Sequence, residues 1–373
     1  MAIIAVDIRS LQNNQLTGIG VYSKEVILAL LKNDSQNKYR LFYSGFKPIN
    51  EDFLNSLKQF YNFKLIKIHW PNKLLNFCLW LFNFPKFDSY IKADLFWFPH
   101  FNFWSLSKNI PYIVTVHDLA FKLYPKFYSA KMRFWHNALK PKQKLQQAVK
   151  IITVSENTKK DITALLNIPT EKSMVIYSGL NNENLKDGVI IKQKYNLPEL
   201  FLLYLGTIEP RKNIITLVKA FEKINDKNCS LVIAGGKGWL YKKIEKTILN
   251  SPAKERIKVI NYVDSKDTPT IYALAKALVW PSFYEGFGLP PLEAQKQKSK
   301  IIISANSSLP EVAQNSALLI DPYNANEIAE CLNQVLNDEN LQKNLSFKSE
   351  INVNNYTWTK TTEKMINLFN QLT

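Results

Sequence analysis

The sequence predicts an α/β protein made of two Rossmann-like domains, each a doubly wound parallel sheet. Short apolar runs, each long enough for one buried strand, alternate with amphipathic stretches along the whole chain of 373 residues. Strands of parallel sheets are covered by helices on both faces, which explains why these runs are continuously apolar. The length is also comfortable for two domains of roughly 150–200 residues each.

The first half carries a series of predicted strands that alternate with predicted helices. The strands are expected at residues 3–6, 39–43, 63–66, 95–98, 112–116, 151–154 and 174–177. The helices are expected at residues 18–31, 50–60, 73–84, 129–149 and 156–166. We therefore assign residues 1–180 to an N-terminal domain that lies on the acceptor side.

The polar segment 178–198, which contains two glycines, is the predicted linker. Strands are then expected at residues 201–205, 231–234, 258–260, 278–280, 301–303 and 317–320, and helices at 214–224, 240–249, 268–276 and 325–336. This series forms a predicted C-terminal domain, residues 181–357, and a last helix at 358–373 is expected to pack back on the N-terminal domain. Ligands of such sheets bind beyond the carboxyl ends of the strands, so we expect the two domains to face one cleft.

Composition narrows the setting of the protein. The first residues do not form a signal peptide, and no run approaches 18 apolar residues. Cys78, Cys229 and Cys331 are far apart, which favours a reducing compartment with free thiols. We therefore expect a cytoplasmic protein, either free or peripheral on the inner face of the cell membrane, and no metal site.

The net charge of +17 is concentrated in the first half. Residues 1–180 contain 24 Lys and Arg against 11 Asp and Glu, a net charge of +13, whereas the remaining residues have a net charge of +4. A lysine-rich composition bias and a genuine anionic partner both explain a basic protein, but only the partner explains the asymmetry. An anionic membrane surface is one such partner. Nucleic acid is not expected, because no RNP motif, zinc finger or KH loop is present.

The strongest motif is WPSFYEGFGLPPLEAQ at residues 280–295, where a predicted strand runs into a glycine-containing loop and a short helix. Gly286 and Gly288 let backbone amides approach an anion closely, and a helix N-terminus favours negative charge. Glu285 and Glu293, with seven residues between them, can accept hydrogen bonds from hydroxyl groups. These features suit a sugar-diphosphate ligand better than a plain turn.

A second motif, LGTIEPRKN at residues 205–213, places Arg211 and Lys212 just before a predicted helix. Two cations at the start of a helix are unfavourable because they oppose the helix dipole. A nearby anion would compensate them, and a pyrophosphate could be that anion.

Two further motifs follow predicted strands of the first half. Gly18 and Gly20 in TGIGVY resemble the start of a dinucleotide fingerprint, but Ser23 stands where the third glycine belongs. His117 in VTVHDL follows a buried strand, where it can contact a substrate hydroxyl or accept a proton. No Asp-x-Asp pair, which would hold a divalent ion, occurs in the chain.

Taken in order, the segments TGIGVYS, VHDLAF, TVSENTKKDI, LGTIEPRKN, LVIAGGKGW and EGFGLPPLEA resemble glycosyltransferase family 4. The resemblance runs from residue 7 to about residue 358, and it implies the GT-B fold and retaining chemistry. The GTIEPRKN and HDLAFKLYPKFYS segments are particularly similar to bacterial mannosyltransferases and rhamnosyltransferases of O-antigen and capsule assembly.

The resemblance implies a role for each matching residue. His117 would contact the donor sugar, Arg211 and Lys212 would bind the pyrophosphate, and Glu285 would hold sugar hydroxyls. The implied donor-binding residues are Gly18, Gly20, Val263, Phe287, Gly288, Leu289 and Glu293. Glu293 would bind the ribose, and the backbone of Val263 would meet the base. Many family members carry Arg directly after the glycine of the second motif, where this chain has Thr207.

The resemblance implies a retaining, metal-independent hexosyltransferase without cofactors, and we expect mannose from GDP-mannose as the transferred sugar. The acceptor would be a saccharide or a lipid-linked saccharide of cell-surface polysaccharide synthesis. We expect same-face attack, because no carboxylate is an evident nucleophile. A sugar-nucleotide 2-epimerase of similar fold is the alternative. Residues 73–84, rich in aromatic residues, either lie on a membrane or pack in the core, and the sequence does not decide between these.

Overall fold

The computed structural model describes residues 1–12, 16–182 and 184–373 and confirms the predicted α/β class with two parallel sheets. The chain forms two compact units. The first unit comprises Met1–Leu119, Ala130–Asn181 and Tyr356–Thr373, and the second comprises Ala120–Ser129 and Asn182–Asn355.

The first unit is built on a sheet of parallel strands in the order β3-β2-β1-β4-β5-β6-β7. Its strands are β1 Ile3–Asp7, β2 Lys38–Ser44, β3 Phe63–Ile68, β4 Leu95–Phe98, β5 Tyr112–Val116, β6 Lys150–Thr153 and β7 Ser173–Val175. The order reverses direction at β1, which places the carboxyl ends of β1 and β4 side by side.

Helices cover this sheet as the amphipathic pattern predicts. They are α1 Gly18–Asn33, α2 Glu51–Leu57, α3 Asn72–Phe82, α4 Phe87–Tyr90, α6 Ala130–Ala138, α7 Pro141–Gln147 and α8 Glu156–Leu166, together with the last helix of the chain, α17 Trp358–Leu372. Helix α17 packs against α1, and its Met365, Leu368 and Phe369 are buried in the core of this unit.

The second unit contains a parallel sheet in the order β10-β9-β8-β11-β12-β13. Its strands are β8 Phe201–Leu205, β9 Ser230–Ala234, β10 Ile257–Ile260, β11 Ala277–Trp280, β12 Lys300–Ser304 and β13 Leu318–Ile320. The order reverses between β8 and β11, so the loops that follow these two strands leave the sheet as neighbours.

The helices of the second unit pack around this sheet, whose strand residues form the centre of the core. They are α5 Ala120–Leu123, α9 Gly188–Tyr195, α10 Ile214–Phe221, α11 Lys242–Leu249, α12 Thr268–Leu274, α13 Leu289–Lys296, α14 Leu309–Ala313, α15 Ala325–Asn337 and α16 Glu339–Val353.

Two helix predictions were wrong. The predicted linker 178–198 contains helix α9, whose first turn is capped by the Asp187 carboxylate and whose Ile191 is buried; Glu183 lies outside the described residues. The helix predicted over residues 129–149 is divided into α6 and α7. Lys140 adopts a left-handed conformation with φ of 51° just before Pro141, which has no amide hydrogen to continue a helix.

Residues 120–129 belong to the second unit rather than to the predicted N-terminal domain. Aromatic contacts hold this segment there. Phe127 stacks on Phe283 with ring centroids 5.2 Å apart, and Tyr128 stacks on Trp239 at 5.8 Å. The indole N–H of Trp239 also donates to the backbone carbonyl of Phe127.

Candidate functional site

A group of four ionisable side chains lies beyond the carboxyl ends of β8 and β11. We call Glu209, Arg211, Lys212 and Glu285 the charged cluster. The first three follow β8, and Glu285 follows β11, which pairs with β8 in the sheet. Neighbouring strands of a parallel sheet thus bring together two loops that are far apart in the sequence.

The two carboxylates of the charged cluster compensate its two cations. The Arg211 guanidinium donates from Nη1 to Glu285 Oε2 at 2.9 Å, and its Nη2 lies 2.9 Å from Glu209 Oε1. Lys212 Nζ donates to Glu285 Oε1 at 2.6 Å, and the indole N–H of Trp280 donates to the same oxygen at 2.9 Å. The sequence predicts that these cations need an anion nearby, and within the second unit Glu209 and Glu285 supply negative charge.

The cations lie just before a helix, as the sequence predicts. Pro210–Lys212 form a short 3₁₀ turn, Asn213 follows with a left-handed φ of 57°, and α10 begins at Ile214. The Asn213 side chain donates to the carbonyls of Pro281 and Pro322 at 3.0 and 2.7 Å. This residue therefore fixes the β8 loop to the β11 loop.

The two carboxyl groups of the charged cluster have opposite pKa shifts. Burial alone would raise the pKa of Glu285, but Lys212 and Arg211 outweigh it and lower this pKa to about 2. Burial raises the pKa of Glu209, and Arg211 and Lys212 offset only part of this effect. Burial also lowers the pKa of Lys212. Glu285 is therefore the firmly ionised partner, and Glu209 is the carboxyl group that takes up a proton more readily.

The glycine loop after Glu285 leads into helix α13. Gly288 precedes the helix with φ of 103°, a conformation that favours glycine, and an added Cβ would lie 2.7 Å from Leu309. Phe287 and Gly288 are buried, and Leu289 is the first helical residue. Ser308 Oγ lies 2.9 and 3.0 Å from the carbonyl oxygens of Glu285 and Phe287, and these hydrogen bonds hold the loop in place. The three backbone amides predicted to bind the donor thus occupy a rigid turn.

Two other predicted donor-binding residues lie in the same unit. Glu293 is half-buried on α13 and accepts a hydrogen bond at 3.2 Å from the hydroxyl of the buried Tyr272. Val263, in the segment after β10, is buried as part of the core of the second unit. Its side chain therefore packs inward, and only its backbone could meet a nucleobase.

His117 lies in the first unit, just beyond the end of β5. Its Nε2 lies 2.8 Å from the carbonyl of Pro99, and because a carbonyl only accepts, Nε2 carries the hydrogen. The ring of Tyr22 packs edge-to-face on the imidazole at 4.7 Å. Burial lowers the pKa of His117, against the opposing effects of the Pro99 hydrogen bond and Asp118. The neutral form is therefore favoured near pH 7.

Gly18 and Gly20 belong to the first turn of α1, which begins at Gly18 as the sequence predicts. Among the described residues, no atom lies within 4 Å of a Cβ added at Gly18, whereas a Cβ on the buried Gly20 would lie 3.1 Å from Leu16. Gly20 thus has a packing reason to be glycine.

The sequence analysis missed several ionisable residues at strand ends. Asp7, at the end of β1, is fully buried, and Arg9 Nε donates to its Oδ1 at 2.9 Å. His100 follows β4; burial lowers its pKa to about 4, with Asp7, Arg9 and His117 as its charged neighbours. Glu209 was also missed. The available signal was position alone, because each of these residues ends or directly follows a buried strand.

Within residues 1–12, 16–182 and 184–373, no group of three or more His, Cys, Asp or Glu side chains could hold a metal ion. No helix in the same part of the chain is both long and apolar enough to cross a bilayer.

Comparison with known proteins gives two family matches, which follow each other along the chain. Residues 17–184 match the model of "Glycosyltransferase Family 4", and residues 189–350 match that of "Glycosyl transferases group 1". The chain is 26% identical over 382 residues to O-antigen chain mannosyltransferase B of Escherichia coli, an alignment that covers 96% of this chain and 97% of that protein.

Solved structures resemble the whole chain in fold. Sucrose-phosphate synthase from Thermosynechococcus elongatus has a TM-score of 0.78 at 19% identity and covers 100% of this chain and 99% of its own. HepE from Anabaena, solved in complex with UDP and glucose, has a TM-score of 0.72 at 14% identity, with both chains fully covered. At these identities the likeness shows the shared fold alone.

Proposed function

The chain belongs to the family 4 and group 1 glycosyltransferases, and we propose that it transfers a hexose from a nucleotide-sugar to a saccharide or lipid-linked saccharide. The observation that carries this proposal is the charged cluster beside the glycine loop. Two cations, the buried Lys212 and the half-buried Arg211, lie with a turn of backbone amides at the carboxyl edge of one sheet. Such an arrangement suits a diphosphate whose negative charge grows as the sugar leaves.

We assign Arg211 and Lys212 to the leaving diphosphate. Within the second unit a diphosphate must compete with Glu209 and Glu285 for these cations. Glu285 is held ionised, but the raised pKa of Glu209 lets it take up a proton. Protonation of Glu209 would leave the cluster with a net positive charge when the anion arrives. Removing one such cationic contact should slow transfer by about 10²-fold, or roughly 3 kcal/mol.

The other predicted residues complete the proposed donor site. Phe287, Gly288 and Leu289 would donate their backbone amides to phosphate oxygens, and Glu293 would accept from the ribose hydroxyls. Because Oε1 of Glu285 already accepts from Lys212 and Trp280, this residue positions the cations as well as sugar hydroxyls. Neutral His117, in the first unit, is proposed to contact the donor sugar near its reacting carbon.

We propose retention of configuration, with the leaving phosphate oxygen accepting the proton of the acceptor hydroxyl. In that step the bond from the sugar C1 to the phosphate oxygen breaks, the bond from C1 to the acceptor oxygen forms on the same face, and the proton passes to the nucleoside diphosphate. We propose no metal or cofactor in this step, since the chain lacks an Asp-x-Asp pair.

Mannose from GDP-mannose is the proposed donor, on the basis of the relative named as an O-antigen chain mannosyltransferase. The same relative supports a role in cell-surface polysaccharide synthesis. We propose, from the sequence alone, that this takes place in the cytoplasm, with the protein free or at the inner face of the membrane. Neither the family matches nor these relatives support the epimerase alternative that the sequence left open.

A thermal-shift screen tests the proposed donor site. The full chain is heated with GDP, UDP, dTDP and their sugars in the presence of EDTA, because a ligand that binds only the folded state raises Tm. We expect GDP and GDP-mannose to raise Tm, and Glu293→Ala to abolish the increase. Glu245→Ala, which changes an exposed carboxylate of the same unit, should leave the increase intact. A protein that responds to no nucleotide, or only without EDTA, would contradict the proposal.

A further inference from the structure

The first unit contains a cavity of about 860 Å³ that shares no lining residue with the donor site described above. The end of α3, the segment that crosses from β4 to β5, and helix α7 surround it. Four lysines line it: Lys86, Lys108, Lys140 and Lys144. No acidic residue is among the described residues that line the cavity. We call this space the lysine cavity.

Two of these lysines are held in place by neutral groups. Lys144 Nζ donates to the carbonyl of Asn102 at 3.1 Å and lies 3.4 Å from the ring centroid of Trp104. Lys86 Nζ donates to Ser105 Oγ at 2.9 Å. Burial lowers the pKa of Lys144 well below its ordinary value, so a nearby anion would help to keep this lysine charged.

The positive charge of the lysine cavity is not neutralised by ion pairs in the described part of the chain. None of its lysines lies within 4.0 Å of a carboxylate there. Two acidic side chains lie nearby without lining the cavity: Asp88 accepts from the amide of the lining residue Ser107 at 2.8 Å, and Asp7, which is paired with Arg9, opposes the lowering of the Lys144 pKa. A cavity with several lysines and hydroxyl and amide groups suits a phosphate group.

An exposed aromatic surface adjoins the lysine cavity. Its members are aromatic residues of α3, α6 and the turn after α3 that are exposed by about a third or more: Phe77, Trp80, Phe82, Phe84, Phe134 and Trp135. We call it the aromatic face. Trp80 belongs to both features, since it lines the cavity and its ring packs at 5.7 Å on that of Phe134. Helix α3 packs against the first unit through the buried Leu75 and Leu79, and its aromatic side chains lie on the exposed face.

We propose that the lysine cavity binds the phosphate head group of an anionic phospholipid while the aromatic face enters the outer part of the bilayer. Tryptophan and phenylalanine beside lysine are typical of surfaces that lie in a membrane interface. A soluble phosphate ester would explain the lysines but not the aromatic face. The net charge of +13 over residues 1–180 favours an anionic surface. This inference goes beyond the transfer reaction and does not depend on it.

Vesicle sedimentation of the full chain tests the proposal. We expect binding to vesicles of phosphatidylcholine with phosphatidylglycerol, and little binding to phosphatidylcholine alone. Exchanging the exposed cavity lysines, Lys108→Gln with Lys140→Gln, should weaken binding by about thirtyfold, because each lysine near such a surface contributes a factor of roughly five to six. The matched control, Lys58→Gln with Lys64→Gln, makes the same charge change on exposed lysines elsewhere in the first unit and should weaken binding far less.

Two further measurements separate the alternatives. In the first, the double variant Phe82→Ser with Phe134→Ser should bind anionic vesicles more weakly than the native chain. In the second, glycerol 1-phosphate added at millimolar concentration should not displace the native chain from these vesicles. The proposal would be overturned if Lys108→Gln with Lys140→Gln weakened vesicle binding no more than Lys58→Gln with Lys64→Gln does. It would also be overturned if the chain bound glycerol 1-phosphate saturably but did not bind vesicles. The GDP-induced rise in Tm should persist in every variant. A cooperative thermal transition without ligand confirms that each variant folds, and the GDP-induced rise reports on the proposed function separately.

Discussion

Arg211 and Lys212 are adjacent in sequence and share the carboxylate of Glu285, which comes from another strand. A buried ion pair contributes little net stability, because removing both charges from water costs nearly as much as their attraction returns. Losing one partner is different, since the other charges stay buried without compensation. The charged cluster therefore couples the stability of the second unit to residues that we assign to donor binding.

We expect Glu285→Gln to lower the free energy of unfolding by about 3 kcal/mol, because Lys212 and Arg211 lose their shared carboxylate. Chemical denaturation at pH 7 measures this. The matched control is Glu245→Gln, which removes an exposed carboxylate 2.7 Å from Lys237 and should cost less than about 1 kcal/mol.

The loss of stability caused by Glu285→Gln should depend on pH. The pKa of Glu285 is lowered from 4.5 to about 2. Its contribution is therefore complete above about pH 4.5 and is lost as pH falls towards 2. The difference between the native chain and Glu285→Gln should shrink over that range. A difference that is small at pH 7, or that grows on acidification, would contradict the geometry of the cluster.

We expect the pKa of His117 to lie below 6.5 in the folded chain. Burial lowers its pKa below 6.5, so the folded chain keeps the ring neutral where the unfolded chain already takes up a proton. The folded state should lose this part of its stability as pH falls below about 6.5. NMR titration of labelled histidine, with the signal assigned through His117→Asn, measures the pKa directly. A value above 6.5 would contradict the buried environment of the ring.

At the residue level, the sequence alone indicated which residues could bind a ligand, but it did not indicate which of them contact each other. Arg211, Lys212 and Glu285 stand out by type and by position after strands. That Glu285 pairs with both cations depends on β8 and β11 being neighbours, which is a property of the strand order. Glu209 and His100 were missed because a single ionisable residue after a strand has no distinctive spacing. Their buried surroundings become visible only in the folded chain.

Among the elements, strands were predicted within a few residues because most described strands are short apolar runs between polar segments; β3, which contains Lys64 and Lys67, is an exception. Helices were harder to predict where their apolar faces are small. Helix α16, Glu339–Val353, was missed; only Leu345, Ser349 and Asn352 are buried along it. Asn352 contributes hydrogen bonds instead of apolar area, since its amide donates to Gln295 Oε1 at 3.0 Å and to the carbonyl of Val312 at 3.0 Å.

Helix α17 returns the end of the chain to the first unit, and a mutation tests its contribution. Phe369 is fully buried and packs near Trp97 with ring centroids 6.1 Å apart. Phe369→Ala should therefore lower the free energy of unfolding by about 3–5 kcal/mol. The control, Phe347→Ala on α16, alters a side chain that is 64% exposed and should change it by less than about 0.5 kcal/mol.

Urea denaturation followed by circular dichroism compares the two variants. Equal stabilities of Phe369→Ala and Phe347→Ala would mean that α17 is not part of the first unit's core. A loss confined to Phe369→Ala would support the packing of this helix on α1.

For the molecule as a whole, the sequence predicted two sheets but not how the chain is divided between them. The strand-helix alternation repeats on both sides of residue 181, which makes two domains evident. Residues 120–129 are continuous in sequence with the first unit, and contacts with residues such as Phe283, Tyr284 and Trp239 assign them to the second. Contacts between residues more than 100 positions apart leave no periodic signal in a single sequence.

A prediction at this scale concerns where a nucleotide protects the chain. If the charged cluster and the glycine loop bind the diphosphate, GDP should slow amide hydrogen exchange most at residues 205–213 and 281–296. The reason is that bound amides and the loops they anchor open less often. Mass spectrometry of exchange along the full chain measures this without a known acceptor.

Segments 79–86 and 138–149, which line the lysine cavity, should respond to phosphatidylglycerol vesicles instead of to GDP. Strongest protection by GDP at the lysine cavity would move the nucleotide site to the first unit and contradict both assignments, whereas separate responses would support two anion sites with different ligands.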